Sequence, residues 1–218
     1  SGPEAGVAFL AISAQCGYSP VDPATGDIEL AFLVADLPAK AVLATPANVA
    51  RNVGDVPVIT FTPDETLAGL FTLHGVEQRV ALTKPPAGEE GAESIALLLH
   101  TSGTSKKPKL VPRTHASLMI GAQCIKKTVD LSPKDRCLNM LPLFHVGGLT
   151  CNVLATAAAG ASVVCAPAFN QVDSLRWLRE FAPTWYYASP AMHMTMVRGG
   201  IPQPLALRFV RSASAVLL

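Results

Sequence analysis

Charge is scarce in this chain. Of 218 residues, 15% are Asp, Glu, Lys or Arg, and the two signs nearly cancel at a formal net charge of +1. There is no basic stripe or acidic run, so nothing argues for nucleic acid or an acidic membrane surface as partner. Cysteine occurs five times, at Cys16, Cys124, Cys137, Cys151 and Cys165, with no C-x-x-C pair. An odd count without a framework favours reduced, buried thiols and a cytosolic or organelle-matrix setting, with no catalytic thiol expected because none has a cationic neighbourhood. The Walker A pattern is absent, and no G-x-G-x-x-G follows a strand, which disfavours a redox dinucleotide fold. His74, His100, His115 and His193 have no acidic or Cys partners at ligand spacing, so no protein metal cluster is expected. No signal peptide, internal repeat or low-complexity tract stands out.

Apolar residues make up 50% of the chain and the mean hydropathy is +0.35. A large α/β core, with strands buried on both faces, produces such a composition. The length suggests one domain or one and a half. Residues 146–171 carry no charge and are long enough to span a bilayer. However, they contain Gly147, Gly148, Asn152, Thr156, Gly160, Ser162 and Pro167. They read instead as a buried helix over 146–159, a Gly160 stop and a strand over 162–165; no transmembrane segment is expected.

Strand-like and helix-like segments alternate along the chain. Helices are expected over 5–14 and 27–35, and short strands over 41–44 and 57–61. Residues 84–94, with Pro85, Pro86, Gly88 and Gly91, read as an exposed connector between an N-terminal α/β part (1–83) and a second part (95–218). In the second part, strands are expected over 94–100, 136–141, 162–166, 184–187 and 207–212. Helices follow, one capped by Thr114, one with Leu175, Leu178 and Phe181 on one face, and one opened by Ser189-Pro190. The alternation implies an α/β fold: a mostly parallel sheet with right-handed crossovers and helices on both faces. Met192, Met194 and Met196 read as core or groove filling.

The most informative stretch is Thr101-Ser102-Gly103-Thr104-Ser105-Lys106-Lys107-Pro108-Lys109. It leaves the end of an apolar strand with four hydroxyls, one Gly and three Lys. Backbone N–H groups and hydroxyls in such a loop donate hydrogen bonds to polyanions, and Lys supplies charge. Ligands of parallel sheets bind beyond the carboxyl ends of the strands. The loop, His145 and residues 212–215 each follow a strand, so all three are expected on one rim.

The order of residues resembles the adenylate-forming enzymes: acyl- and aryl-CoA synthetases, luciferases and peptide-synthetase adenylation domains. Their phosphate loop runs T-S-G-T-T-G-x-P-K-G. Thr101, Ser102, Gly103, Thr104, Pro108 and Lys109 match it, Ser105 is a mild change, and Lys106 and Leu110 replace the two later glycines. Leu141-Pro142-Leu143-Phe144-His145-Val146-Gly147-Gly148-Leu149 is similar to the family's P-L-F-H-x-x-G segment. The run from Leu207 to Ala215 is similar to its strand and small-residue turn under adenine. The wording around Arg211-Ser212-Ala213-Ser214 looks most like the oxalate–CoA ligase branch.

The resemblance implies ATP-dependent activation of a carboxylic acid, oxalate or another small acid, to an acyl-adenylate with transfer to CoA. It assigns Thr101, Ser102, Gly103, Thr104, Ser105, Lys106 and Lys109 to the ATP phosphates, with Thr104 beside Mg2+. It places Ser214 and Ala215 along the adenine, and His145, Gly147 and Ser212 at the acid, His145 as the catalytic group. The family's later Mg2+-holding Glu, its ribose-binding T-G-D segment and its C-terminal Lys are not in this sequence, so a piece of the large N-terminal domain is expected, inactive alone. The location implied for the parent is cytosol or peroxisome. The competing reading is a catalytically incompetent nucleotide-binding or interaction module.

Overall fold

The structure is a computed structural model and describes residues 2–48, 51, 53–75, 89–100 and 108–216. In chain order the elements are α1 (Pro3–Ser13), α2 (Asp27–Asp36), β1 (Val42–Ala44), β2 (Val58–Pro63), β3 (Phe71–His74), α3 (Glu89–Ala92), β4 (Ile95–His100) and β5 (Leu110–Thr114). There follow α4 (His115–Thr128), β6 (Arg136–Asn139), a π-helix (Gly147–Leu154) that continues into α5 (Ala155–Ala158), β7 (Ser162–Cys165), α6 (Gln171–Glu180), β8 (Trp185–Ala188), α7 (Pro190–Arg198) and β9 (Phe209–Ser212).

The chain divides into two compact units: Ser1–Ser19 together with Pro85–Leu218, and Pro20–Lys84. The sequence reading had grouped 1–83. In the structure α1 packs instead with the later part, because Phe9 is buried in a cluster with Leu97, Leu118, Leu149 and Val153. The smaller unit pairs β1 parallel to β2 and β2 antiparallel to β3. Leu30, Val34 and Val53 form its core. Strand β3 was not foreseen; Phe71-Thr72-Leu73-His74 is too short and too exposed to carry a periodic signal.

Sheet order in the larger unit is β7-β6-β8-β9, all parallel. Strands β6 and β8 are central. Cys137, Leu138, Trp185 and Ala188 have no exposed surface. Alternation of side chains sends Trp185 and Tyr187 to one face, where they meet Ala122 of α4 and Ala155 of α5. Tyr186 and Ala188 go to the other, with Leu178 of α6 and Met196 of α7. Helices therefore cover both faces, as a near-continuous apolar strand requires. Leu178 and Met196 each contribute roughly 2 kcal/mol by leaving water, more than strand propensity supplies.

Local signals set the helix starts. Thr114 Oγ1 accepts from the Ser117 N–H at 3.2 Å, Asn170 Oδ1 from Asp173 N–H at 3.0 Å, and Ser189 Oγ from Met192 N–H at 3.4 Å. The helix expected over 146–159 forms, but its first two turns are π-helical. Gly160, at φ +70°, ends it.

One expected unit is different. The strand at 95–100 does not lead straight to a helix; β4 pairs antiparallel with β5, in a sheet separate from the parallel one. Pro112 within Leu110–Thr114 hides this strand in the sequence; in a two-stranded sheet both strands are edges, where proline is tolerated. Residues 101–107 lie outside those described. Consequently the rim shared by parallel strands belongs to β6, β8 and β9, while β4, which precedes the 101–109 loop, lies in another sheet.

No helix among the described residues is long and apolar enough to cross a membrane. Cys16 and Cys124 are exposed, so the expectation of uniformly buried thiols fails for these two. Burial pushes the Cys137 thiol well up and that of Cys165 to about 11.

At the amino-terminal edge of the parallel sheet, Asp135 is 4% exposed. It accepts from Ser132 N–H (2.8 Å), Ser132 Oγ (3.1 Å), Thr184 Oγ1 (2.8 Å), Arg208 Nε (3.3 Å) and Arg208 Nη2 (3.1 Å). Burial pushes this carboxyl up, but the hydrogen bonds from Ser132, Thr184 and Arg208 together outweigh it and hold the carboxyl below its ordinary value. The clasp ties the segments before β6, β8 and β9 together. Because the folded value is depressed, the contribution is complete above the ordinary carboxylate range and is lost as pH falls through the folded value. Replacing Asp135 with Ala is expected to lower the unfolding free energy by about 3 kcal/mol at neutral pH, measured by urea unfolding. The deficit relative to wild type should shrink below about pH 4.

Candidate active site

Beyond the carboxyl end of β6 the chain bends through Pro142 and His145 into the π-helix. His145 is fixed by its backbone: its N–H donates to Pro142 C=O at 3.2 Å and its C=O accepts from Leu149 N–H at 3.1 Å. Its ring lies 5.0 Å from that of Phe144 and is exposed. A histidine held by main chain and open at its ring is not packed as a core histidine. The core histidine is His193. There Nε2 faces the Arg211 carbonyl at 3.2 Å, and Nδ1 faces Tyr186 Oη at 3.2 Å. A carbonyl only accepts, so Nε2–H donates to it and, in the neutral ring, Nδ1 accepts from the Tyr186 hydroxyl. Burial raises the Tyr186 pKa and so keeps that hydroxyl protonated.

The π-helix is locked to β6 through a buried amide pair. Asn152 Nδ2 donates to Asn139 Oδ1 at 2.7 Å, while Asn139 Nδ2 donates to Leu141 C=O at 3.1 Å and Asn139 Oδ1 accepts from Leu141 N–H at 3.3 Å. π-helical turns recur at functional sites because they redirect side chains within a helix. Asn152 Oδ1 and Thr150 Oγ1 are buried with no hydrogen-bond partner among the described residues.

Tyr187 organises what lies beside the start of this helix. Its Cε1 lies 3.2 Å from where a Cβ on Gly147 would stand, its hydroxyl is 3.3 Å from Ser214 Oγ, and the Arg211 guanidinium carbon is 4.5 Å from its ring centre. Ser214 adopts φ +78°, a left-handed conformation uncommon outside glycine. Thus Gly147, Tyr187, Arg211 and Ser214 meet at one end of β6, β8 and β9. Ser212 does not join them. Register pairs Tyr187 with Arg211 and Ala188 with Ser212, so Ser212 points to the opposite sheet face, its Oγ buried with no partner among the described residues. Ala215 follows Ser214 at the surface, and Lys109 is exposed just before β5. Thr101, Ser102, Gly103, Thr104, Ser105 and Lys106 lie outside the described residues.

Sequence reasoning passed over Tyr187, Asn139 and Asn152 and gave Arg211 no role. A polar amide inside an apolar strand and an arginine at a strand end were the available signals. No group of three His, Cys, Asp or Glu positioned to hold a metal ion occurs among the described residues.

Open parallel α/β sheets, in which ligands bind beyond the carboxyl ends of the strands, are shared by many nucleotide-using enzymes. The chain belongs to the AMP-binding enzyme family, whose model matches residues 1–217. Its relatives include an oxalate–CoA ligase of Arabidopsis thaliana, 31% identical over 228 residues, covering 97% of this chain and 43% of that protein. A sulfoacetate–CoA ligase of Cupriavidus necator is 30% identical over 213 residues, covering 93% of this chain and 40% of that one. The fold matches the crystal structure of ATP-bound MatB from Rhodopseudomonas palustris at TM-score 0.73 and 20% identity, over 99% of this chain and 49% of that one. The chain thus spans less than half the length of these proteins.

The two glycines that open the π-helix are not equivalent. A Cβ on Gly148 would stand 2.5 Å from the Pro142 carbonyl oxygen, a backbone atom, whereas one on Gly147 meets only side-chain atoms of Leu141 and Tyr187 at 3.2 Å. Gly148→Ala is therefore expected to cost about 2–3 kcal/mol and Gly147→Ala about 1 kcal/mol, compared by chemical unfolding of the two variants. The reverse order would show that the bend at Pro142 relaxes freely.

Proposed function

We propose that this chain is the amino-terminal part of an ATP-dependent acid–CoA ligase acting on a small carboxylic acid, oxalate or one like it. The observation that carries the reading is the convergence of Gly147, Tyr187, Arg211 and Ser214 at the rim of the parallel sheet, beside the exposed His145, in a chain of the AMP-binding family. The ligases of Arabidopsis and Cupriavidus are named for oxalate and sulfoacetate, two short acids with a second anionic group.

In this reading one carboxylate oxygen attacks the α-phosphorus of ATP. The bond to the β-phosphate oxygen breaks, and pyrophosphate leaves with that electron pair. No proton moves, so the protein's task is to position and to neutralise. Thr101, Ser102, Gly103, Thr104, Ser105, Lys106 and Lys109 are assigned to the phosphates. Their hydroxyls, amides and ammonium groups are the donor types that phosphate oxygens need. His145 presents an N–H to the acid, which Gly147 borders, and Ser214 and Ala215 border the adenine; Ser212, which the resemblance also places at the acid, faces the other side of the sheet and is left out of the site. In the second half-reaction the CoA thiol loses its proton to solvent and its sulfur attacks the acyl carbon; the acyl–oxygen bond breaks, and AMP leaves with that electron pair.

Magnesium fits this donor set only as a partner of the nucleotide. Hard-oxygen donors suit Mg2+, and Thr104 offers one neutral hydroxyl. Mg2+ would supply charge neutralisation on the phosphates, and residues outside this chain would complete its shell. A cytosolic or peroxisomal location remains part of the proposal. The competing account, a nucleotide-binding module without catalysis, predicts ATP binding with no acid-dependent exchange.

Replacing Thr104 and Lys109 together with Ala in the full-length protein is expected to weaken ATP binding at least tenfold, about 1.4 kcal/mol, by calorimetry. Unchanged binding removes the loop assignment. His145→Ala should lower kcat/KM for the acid by roughly 100-fold with little change in ATP affinity. Lost ATP binding or unfolding, with acid preference intact, makes His145 structural.

A further inference from the structure

Arg211 is unusually placed for a charged residue. It occupies the end of β9, its carbonyl is held by His193 from the α7 side at 3.2 Å, and its guanidinium lies over the face of Tyr187 on the other side of the sheet. The ring attracts the cation but offers no lone pair. Nη1 is buried and meets no hydrogen-bond acceptor among the described residues. The arginines paired with carboxylates there are Arg51, Arg176 and Arg208; Arg211 is not among them. A guanidinium N–H withdrawn from water without an acceptor is destabilising, and a ligand supplying an acceptor there would relieve that cost.

The chemistry of that ligand follows. A guanidinium fork binds carboxylate or sulfonate oxygens through paired hydrogen bonds. The group is next to Tyr187, whose Cε1 lies 3.2 Å from where a Cβ on Gly147 would stand, so the space between the helix start and β8 is narrow and suits a short acid better than a long acyl chain. We propose that Arg211 is the specificity determinant of the acid site and binds a second anionic group, so that the substrate is a short acid carrying a carboxylate or sulfonate besides the reacting carboxylate. This rests on the acid–CoA ligase reading above and narrows its substrate class. The aromatic face fixes the guanidinium plane, His193 fixes the strand beneath it, and the reacting carboxylate is left for His145.

The test is calorimetric titration of the full-length protein with oxalate and with glycolate, an acid of the same length whose second group is a neutral alcohol. Wild type should favour oxalate by at least about tenfold. Arg211→Gln should erase that preference through lost oxalate affinity, leaving glycolate and ATP within about threefold. Arg211→Lys, which keeps charge without the fork, should lose part of it. If Arg211→Gln does not fold, the Lys variant decides: unchanged oxalate affinity overturns the proposal. An equal loss for both acids, a preference that survives in the Gln variant, or a loss confined to ATP also overturns it, the last assigning Arg211 to a phosphate. Acid-dependent pyrophosphate exchange by the same wild-type protein separates the two readings. An Arg211-dependent oxalate preference without exchange sustains this inference and removes the ligase reading. Exchange with other acids and no preference for the second charge does the opposite.

Discussion

Parallel pairing of β6 with β8, covered on both faces, is the constraint on which the larger unit depends. Cys137 opposes Trp185, Leu138 opposes Tyr186 and Asn139 opposes Tyr187. A slip of one residue would exchange the two faces and carry Asn139 and Tyr187 away from the π-helix. With the register fixed, Asn139 reaches Asn152 and Tyr187 reaches Gly147. The Asp135 clasp sets the same register from the other end, because Ser132, Thr184 and Arg208 precede the three strands whose far ends build the site.

Stability and chemistry are thereby separated along the strands. At the amino-terminal edge the buried carboxylate of Asp135 is met by donors from Ser132, Thr184 and Arg208, which is how charge is tolerated away from water. At the carboxyl-terminal rim polar groups are left incomplete: Nη1 of Arg211 and Oγ of Ser212, on opposite faces, have no partner among the described residues. Unsatisfied donors of this kind cost stability where they occur and are informative for that reason.

Much of this fold was legible because its signals are local. The helix starts at Thr114 and Ser189 follow from side-chain caps, the stop at Gly160 from its left-handed backbone, and the buried strands from short apolar runs. What escaped was non-local. Strand β5 carries Pro112 and exists only by pairing with β4. Helix α1 looks like part of the smaller unit until Phe9 finds Leu97. The π-helical turns carry Asn152, whose amide reaches Asn139, thirteen positions earlier in sequence. For the candidate site, the motif containing His145 and Gly147 follows β6, at the rim where Tyr187 and Arg211 also lie. The alternation that turns Ser212 away from Tyr187, and turns Arg211 toward it, needed the register of β9. The resemblance to adenylate-forming enzymes matched the family the chain belongs to, while Tyr187, the residue that gathers the site, belongs to none of the motifs that carried it.

The central claim is that the acid lies against Tyr187 at the ends of β6, β8 and β9. A crystal structure of the full-length protein with a non-hydrolysable adenylate of a small dicarboxylic acid tests it most directly. The account predicts the acyl end beside Gly147, Tyr187 and Arg211, with the imidazole of His145 at the reacting carbonyl. An acyl end on the opposite face of the sheet, among the side chains of α6 and α7, would contradict it.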